Sequence, residues 1–260
     1  MLSLAGITIY PLKSLDGRSL SRVDVLPSGA LAGDRRWALV TSDGEFFHAK
    51  RSARLQQIRA TWGSGEGQVT LTSELGQVEL DLCGSRAACE QYFSEACGQA
   101  LRLVENREEG FPDDREFPGP TLISTASVEA VAGWFAGLTA DEVRRRFRAN
   151  LEITGGPPFV EDHWYGPPGE RVRVRIGSVA WWGTNPCQRC VVPSRDSRTG
   201  AAVPGFAAAF SQRREAELPV GVSRERFNHF YRLAVNTVLA SGPGSLKVGD
   251  LVQPAVEVFP

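Results

Sequence analysis

The residues best suited to chemistry form one short stretch, PCQRCVVPSRDSRTG, at positions 186–200. Cys187 and Cys190 are separated by two residues, and Asp196 follows in a polar segment rich in turn-forming residues. A thiolate binds soft metals and attacks electrophiles, and neighbouring guanidinium groups favour the thiolate over the thiol. The stretch therefore predicts a reactive or metal-binding cysteine, with a pair of buried structural thiols as the alternative.

Two further uses of a CxxC pair fit this sequence less well. A tetrahedral zinc site needs a second pair of ligands, but the remaining cysteines, at positions 83, 89 and 97, are widely spaced and the histidines are scattered singly. A thioredoxin-like disulfide needs its CxxC at the start of a helix, and Pro193 argues against a helix directly after Cys190. A zinc site assembled from distant residues and a redox disulfide both stay open.

The bulk composition favours a globular protein without a bias toward nucleic acid or a membrane surface. Of the 260 residues, 42% are hydrophobic, and 29 basic residues are balanced by 30 acidic ones. The opening segment MLSLAGITIYPL lacks the basic leader of a signal peptide and is too short to span a membrane. The odd number of cysteines, five, argues against a fully paired secreted framework. We therefore expect a cytoplasmic protein.

The elements that must position the cysteines are predicted to be mostly strands. Apolar and charged residues alternate strictly over 171–176, and β-forming residues continue over 178–182 toward the cysteine pair. A second alternating stretch, 68–82, predicts a hairpin. The helical segments predicted are 85–101, 127–135 and a third that opens with a capping box at 139–142 and runs to Phe147.

A polar segment at about 106–120, rich in Pro, Asp and Glu, is the best candidate for a domain boundary. It separates a β-rich first part, 1–105, from a mixed second part, 106–260, that returns to strands. Because the strand–helix alternation of a doubly wound parallel sheet is missing, the prediction is a mainly β protein with a few helices, built on β-barrels.

The cysteine stretch closely resembles the signature of MOSC domains, a module named for the C-terminus of molybdenum cofactor sulfurase. Further motifs stand in the order of that family along nearly the whole chain. The motifs that carry the resemblance are IYPLKS at 9–14 with Gly17, DRRW at 34–37, FRANL at 147–151, EDHW at 161–164, PCQRC at 186–190 and KVGD at 247–250. The resemblance implies an N-terminal MOSC-associated β-barrel domain over 1–105 and a MOSC β-barrel domain over 106–260, with the cofactor site between them.

Members of this two-part type, such as the mitochondrial amidoxime-reducing component and its bacterial relatives, bind a molybdenum–pyranopterin cofactor. The resemblance implies that Cys190 ligates the metal, as suits a soft thiolate, and that Cys187 supports it. Ser124 and Thr125 precede a predicted helix, where their hydroxyls either contact the cofactor or cap the helix. The residues expected to bind the cofactor are Lys13, Ser14, Arg35, Ser124, Thr125, Arg148, Asn150, Arg189 and Cys190.

The function implied by the resemblance is a molybdenum oxidoreductase that reduces N-hydroxylated or N-oxide-type compounds by two electrons. Asp196 either delivers a proton in that reaction or shapes an Asx-turn. Because no cysteine follows Cys190 to hold a fused iron–sulfur centre, we expect a separate electron donor, such as a ferredoxin, flavoprotein or small cytochrome. The alternative is a non-catalytic carrier in which Cys190 holds a persulfide or a cofactor in transit.

Overall fold

The computed structural model describes residues 1–257, and it confirms a mainly β protein with a few helices. The strands of this range are β1 (Ser3–Ile9), β2 (Arg18–Leu20), β3 (Arg22–Val25), β4 (Trp37–Thr41), β5 (Phe46–Phe47), β6 (Arg59–Trp62), β7 (Gln68–Ser73), β8 (Gly76–Asp81), β9 (Leu101–Glu105), β10 (Leu122–Ser124), β11 (Leu151–Thr154), β12 (Arg171–Ile176), β13 (Val179–Gln188), β14 (Arg232–Leu239), β15 (Gly244–Lys247) and β16 (Val252–Glu257). Its α-helices are α1 (Arg54–Gln57), α2 (Arg86–Cys97), α3 (Thr125–Gly133), α4 (Ala140–Phe147) and α5 (Phe206–Ala216). Within residues 1–257, no helix is both long and apolar enough to cross a membrane.

The largest sheet has eight strands in the order β16-β12-β13-β14-β10-β11-β1-β2. Its neighbouring strands are antiparallel except for β10 and β11, which are parallel. Among the described residues, β2 pairs only with β1 and β16 only with β12. The expected β-barrel-type fold is confirmed, although the eight-stranded sheet of the described residues is not a closed barrel, because closure requires a continuous ladder of hydrogen bonds around the sheet.

The opening segment of the chain belongs structurally with the second part. β1 pairs with β11, and β3 pairs with β15 in a two-stranded sheet. Strands β4 to β9 form two three-stranded sheets, β5-β4-β9 and β6-β7-β8, around their own core. The boundary predicted at residues 105 and 106 coincides with the end of β9, yet the large sheet contains strands from both sides of it.

The three helical segments predicted from the sequence overlap α2, α3 and α4. The predicted buried face of α2 is confirmed, because Cys89, Phe93 and Cys97 all lie in the core of the first part. α4 begins after Thr139, whose hydroxyl accepts a hydrogen bond from the Glu142 amide at 3.2 Å. α5, which buries Phe206 and Phe210, was not predicted.

Strand β13 is irregular at the end that leads to the cysteines. Its register against β14 shifts between Gly183 and Asn185 and again between Pro186 and Gln188. Gly183 lies so close to the Trp164 carbonyl oxygen that a Cβ there would be 1.7 Å from it. Bulges of this kind bend a strand and redirect its side chains, and here they bring the end of β13 to a cleft.

We expect Gly183→Ala to lower the free energy of unfolding by about 3 kcal/mol or more, because a backbone carbonyl cannot yield to the new methyl group. Chemical denaturation checks this. The control is Gly133→Ala at the end of α3, where nothing lies within 4 Å of the added Cβ. There the change should be neutral or stabilising by up to about 1 kcal/mol. Equal stability of the two variants would contradict the packing argument.

Candidate functional site

A cleft of about 430 Å³ lies between the first part of the chain and the cysteine loop that follows β13. It brings together seven of the residues proposed from sequence to bind a cofactor. These are Lys13, Ser14, Arg35, Arg148, Asn150, Arg189 and Cys190. Ser124, Thr125 and Asp196 do not line it.

The two cysteines differ in their surroundings. The Cys187 sulfur accepts a hydrogen bond from Nη1 of Arg189 at 3.0 Å, and Arg189 also donates to the Phe147 carbonyl and lies over the Phe147 ring. Cys190 is half-buried, and its thiol makes no hydrogen bond to the described residues. Of the pair, Cys190 is therefore the thiol available to a ligand in the cleft.

The loop after the cysteines rests on the first part of the chain. Nη1 of Arg195 donates to the Ala49 carbonyl at 2.7 Å, and Nε2 of Gln57 donates to the Thr199 carbonyl at 2.8 Å. These contacts join the loop to α1 and to the segment before it. The position of Cys190 therefore depends on both parts of the protein.

Positive charge dominates the cleft, although the whole chain has a formal net charge of -1. The basic side chains that line it are Lys13, Arg35, Lys50, Arg59, Arg145, Arg146, Arg148, Arg189 and Arg232. The acidic ones are Asp16, Asp34, Glu109, Asp113 and Asp114. Nine cations against five carboxylates in a concave site favour an anionic ligand.

Arg148 lines the cleft without a carboxylate partner among the described residues. It caps α4 in the left-handed region, at φ 55°, and its guanidinium lies 4.0 Å above the Tyr10 ring while donating to the Leu15 carbonyl. No carboxylate of the described residues forms an ion pair with it. Burial lowers the pKa of Arg148 and raises that of Tyr10 to about 12, and the face of the Tyr10 ring stabilises the guanidinium charge.

Lys13 and Arg35 each have an acidic neighbour. Nζ of Lys13 lies 2.8 Å from both Oδ1 of Asp113 and the Phe111 carbonyl, and Arg35 pairs with Asp34. Burial lowers the pKa of Lys13, and the charge of Asp113 opposes that effect. Both cations line the cleft wall contributed by the first part.

Ser14 and Asn150 position backbone as well as lining the cleft. The Ser14 hydroxyl accepts a hydrogen bond from the Ala49 amide at 3.0 Å, and Ser14 itself has φ 79°. Asn150 is buried, donates to the Thr8 carbonyl at 3.0 Å and accepts from the Thr121 amide at 3.2 Å. Their polar atoms join segments of the chain that meet at the cleft.

Among the lining residues that the sequence analysis did not propose are His48, Lys50, Asn185, Arg232 and Asn236. Nδ1 of His48 is buried without a hydrogen-bond partner among the described residues, and burial lowers the pKa of the ring. Nδ2 of Asn236 donates to Oδ1 of Asn185 at 2.9 Å. Lys50 carried one usable signal, since the chain contains only three lysines.

The hydroxyls of Ser124 and Thr125 lie at the start of α3, outside the cleft. Oγ of Ser124 accepts a hydrogen bond from the Ser127 amide at 3.0 Å, the geometry of a helix N-cap. The Ser127 hydroxyl in turn donates to Glu161 at 2.9 Å. Two roles were considered for Ser124 from the sequence, and its hydroxyl makes the contacts of a helix cap.

Asp196 is bonded within its own turn. Its Oδ1 accepts hydrogen bonds from the amides of Arg198 at 3.0 Å and Thr199 at 2.8 Å, and from the Thr199 hydroxyl at 2.9 Å. The bond from the Thr199 amide is the main cause that lowers the pKa of Asp196. The geometry is that of an Asx-turn, and a carboxylate with a lowered pKa is a poor proton donor at neutral pH.

We expect Asp196→Asn to retain the turn and any turnover, because the amide oxygen still accepts the same hydrogen bonds. Asp196→Ala should lose about 1 kcal/mol of unfolding free energy. Thermal denaturation and turnover measurements on both variants check this. Inactivity of a fully stable Asp196→Asn protein would instead favour a role in proton delivery.

Three residues of the EDHW motif, Glu161, Asp162 and Trp164, are buried, and His163 is exposed. Glu161 and Asp162 are buried; Glu161 accepts from Ser127, while Asp162 forms an ion pair with buried Arg214. Burial, reinforced by the charge of Asp162, raises the pKa of Glu161 to about 7. The motif therefore supports the fold beside α3 and does not line the cleft.

The raised pKa of Glu161 predicts that unfolding free energy falls as pH increases from about 4.5 to about 7. In that window the folded state holds a proton that the unfolded chain has released, so the loss reaches at most about 3 kcal/mol. Glu161→Gln removes this titration. Denaturation at pH 5 and pH 8 should show a smaller decrease for the variant than for the parent, and parallel decreases would contradict the assignment.

Comparison with known protein families identifies the family of this chain. Residues 1–141 match the MOSC N-terminal beta barrel domain, and residues 120–253 match the MOSC domain. Each match covers more than half of the chain, so the chain belongs to the MOSC family, as its motifs predicted.

The similar proteins are distant. Molybdenum cofactor sulfurase of Danio rerio is 26% identical over 85% of this chain and 31% of its own length. Mitochondrial amidoxime reducing component 2 of Bos taurus is 24% identical over 76% of this chain and 68% of its own. The chain thus spans about a third of the sulfurases it matches. Among solved structures, the YuaD protein from Bacillus subtilis is 14% identical to this chain, with a TM-score of 0.44. The match covers 98% of this chain and 96% of the YuaD chain.

Proposed function

We propose that this chain binds a molybdenum–pyranopterin cofactor in the cationic cleft and catalyses the two-electron reduction of N-hydroxylated compounds. The observation that carries the proposal is the presence of Cys190, a thiol without a hydrogen-bond partner among the described residues, in the same cavity as nine cationic side chains. A soft thiolate suits molybdenum, and ammonium and guanidinium groups suit the cofactor's phosphate.

The donor set of the cleft fits the parts of this cofactor. Arg148 and Arg35 offer planar guanidinium donors to a phosphate, and Lys13 offers a point charge. The side-chain amides of Asn185 and Asn236 offer donors and acceptors to the polar pterin ring. When bound, the cofactor supplies a metal that changes its oxidation state by two electrons and accepts an oxygen atom. The protein holds it through Cys190 and the cations.

The reaction needs reducing equivalents from outside the substrate. Conversion of an N-hydroxyl group to N–H with release of water consumes two electrons and two protons. We propose a separate donor protein, a ferredoxin, flavoprotein or cytochrome, as their source. Gln188 and Val191, next to Cys190, are exposed, which leaves that edge of the cleft open to a partner.

A cytoplasmic location is part of the same proposal. All five cysteines are free thiols, as suits a reducing compartment.

The names of the sulfurase relatives favour a carrier of cofactor or sulfur as the second candidate function.

The test is the molybdenum content of the protein purified from a host that makes the cofactor, compared for the parent, Cys190→Ala and Cys187→Ala. We expect near-stoichiometric molybdenum in the parent. Cys190→Ala should reduce it about tenfold or more, since even residues outside the ligand set affect metal affinity by about 10–100-fold. Cys187→Ala, which removes the thiol bonded to Arg189, should keep most of the metal.

Activity separates the two candidate functions. The parent should reduce an aromatic amidoxime when supplied with a chemical reductant, and Cys190→Ala should not. Full molybdenum content in Cys190→Ala would contradict the ligand assignment. A parent that contains molybdenum, fails to reduce the amidoxime and passes its cofactor to an apo-acceptor would be a carrier.

A further inference from the structure

The segment between β9 and β10 crosses the cleft as a strap, defined here as residues 110–119. At one end, Gly110 lies against the Asp34 carbonyl, where a Cβ would come within 2.5 Å, and the Phe111 amide donates to the Arg35 carbonyl at 2.8 Å. At the other end, the Gly119 amide donates to the Thr237 carbonyl at 3.1 Å. The strap is therefore anchored on both sides of the cleft.

The centre of the strap is held by side-chain charge. Oδ1 of Asp113 lies 2.8 Å from Nζ of Lys13 and 3.9 Å from Nζ of Lys50. Within the described structure, no backbone hydrogen bond joins residues 112–118 to other elements. Asp113 can therefore leave the two lysines while both anchors stay in place.

The two members of this ion pair differ in burial. The Lys13 side chain is 9% exposed, whereas that of Asp113 is 56% exposed. Burial acts to raise the pKa of Asp113, but the charges of Lys13, Arg35 and Lys50 outweigh it and hold the pKa well below its usual range. A buried lysine thus receives its counter-charge from an exposed carboxylate on a segment whose backbone is not hydrogen-bonded to other elements.

We propose that Asp113 is a specificity-determining residue: its carboxylate occupies the phosphate position of the cleft, and a ligand must displace it. This inference rests on the proposed function, because that function places a phosphate among the cations of the cleft, which include Lys13 and Lys50. A monoanionic ligand carries the same single negative charge as the Asp113 carboxylate, so its exchange for Asp113 gives no net gain in binding free energy. A phosphate monoester brings nearly two negative charges and three acceptor oxygens, so it can displace Asp113. The subsite therefore selects dianions, and their binding releases the strap.

The experiment titrates inorganic phosphate at pH 8 into the full chain prepared without cofactor, by calorimetry. We expect Asp113→Asn to bind phosphate about two- to fivefold more tightly than the parent, the range set by a partly exposed ion pair. Acetate, a monoanion, should bind measurably only to Asp113→Asn. The matched control is Asp114→Asn, which removes the adjacent strap carboxylate that forms no ion pair among the described residues.

A second measurement reports the strap itself. Arg115 is exposed at its centre, so trypsin cleavage after Arg115 measures release. Phosphate should accelerate this cleavage in the parent, and Asp113→Asn should be cleaved rapidly without phosphate. Phosphate binding that is equal in the parent and both variants, with unchanged cleavage, would overturn the role of Asp113 and leave the anion site intact. Absence of phosphate binding in the parent, Asp113→Asn and Lys13→Ala would overturn the anion site as well.

Discussion

Repulsion among the cations of the cleft is the constraint on which the rest of the site depends. Like charges held close together at a partly buried surface oppose folding unless their neighbours compensate. Carboxylates do this for Lys13 and Arg35, but Arg148 and Arg189 rely on ring faces and main-chain carbonyls. Compensation by neutral groups leaves the positive charge in place for an incoming anion.

The same constraint explains why the cleft needs both parts of the chain. Lys13 and Arg35 come from turns near β1 and β4, whereas Arg148 ends α4 and Cys190 follows β13. The bonds from Arg195 to the Ala49 carbonyl and from Gln57 to the Thr199 carbonyl fix the distance between these walls. The thiol and the cations that such a ligand would bridge are therefore held in position before the ligand binds.

Local rules predicted local structure well. The alternation of apolar and polar residues predicted β7, β8 and β12. The spacing of Cys89, Phe93 and Cys97 predicted the buried face of α2, and the capping residue Thr139 predicted the start of α4. The family motifs identified seven residues of the cleft. Strand pairing between distant segments and the contributions of His48 and Asn236 were not predictable, because tertiary packing alone brings them to the cleft. At Ser124 the hydroxyl follows the local capping rule.

The pairing of β1 with β11 has a consequence for synthesis of the chain. Ser3 pairs with Thr154, so β1 is synthesised well before its partner strand β11. Contacts of such long sequence separation form slowly, and until they form the apolar face of β1 stays open to other partners. Cys190 is translated later still, after the strands that build the opposite wall. The nascent chain therefore has no complete pocket until translation is well advanced, and the cleft matures as a late product of folding.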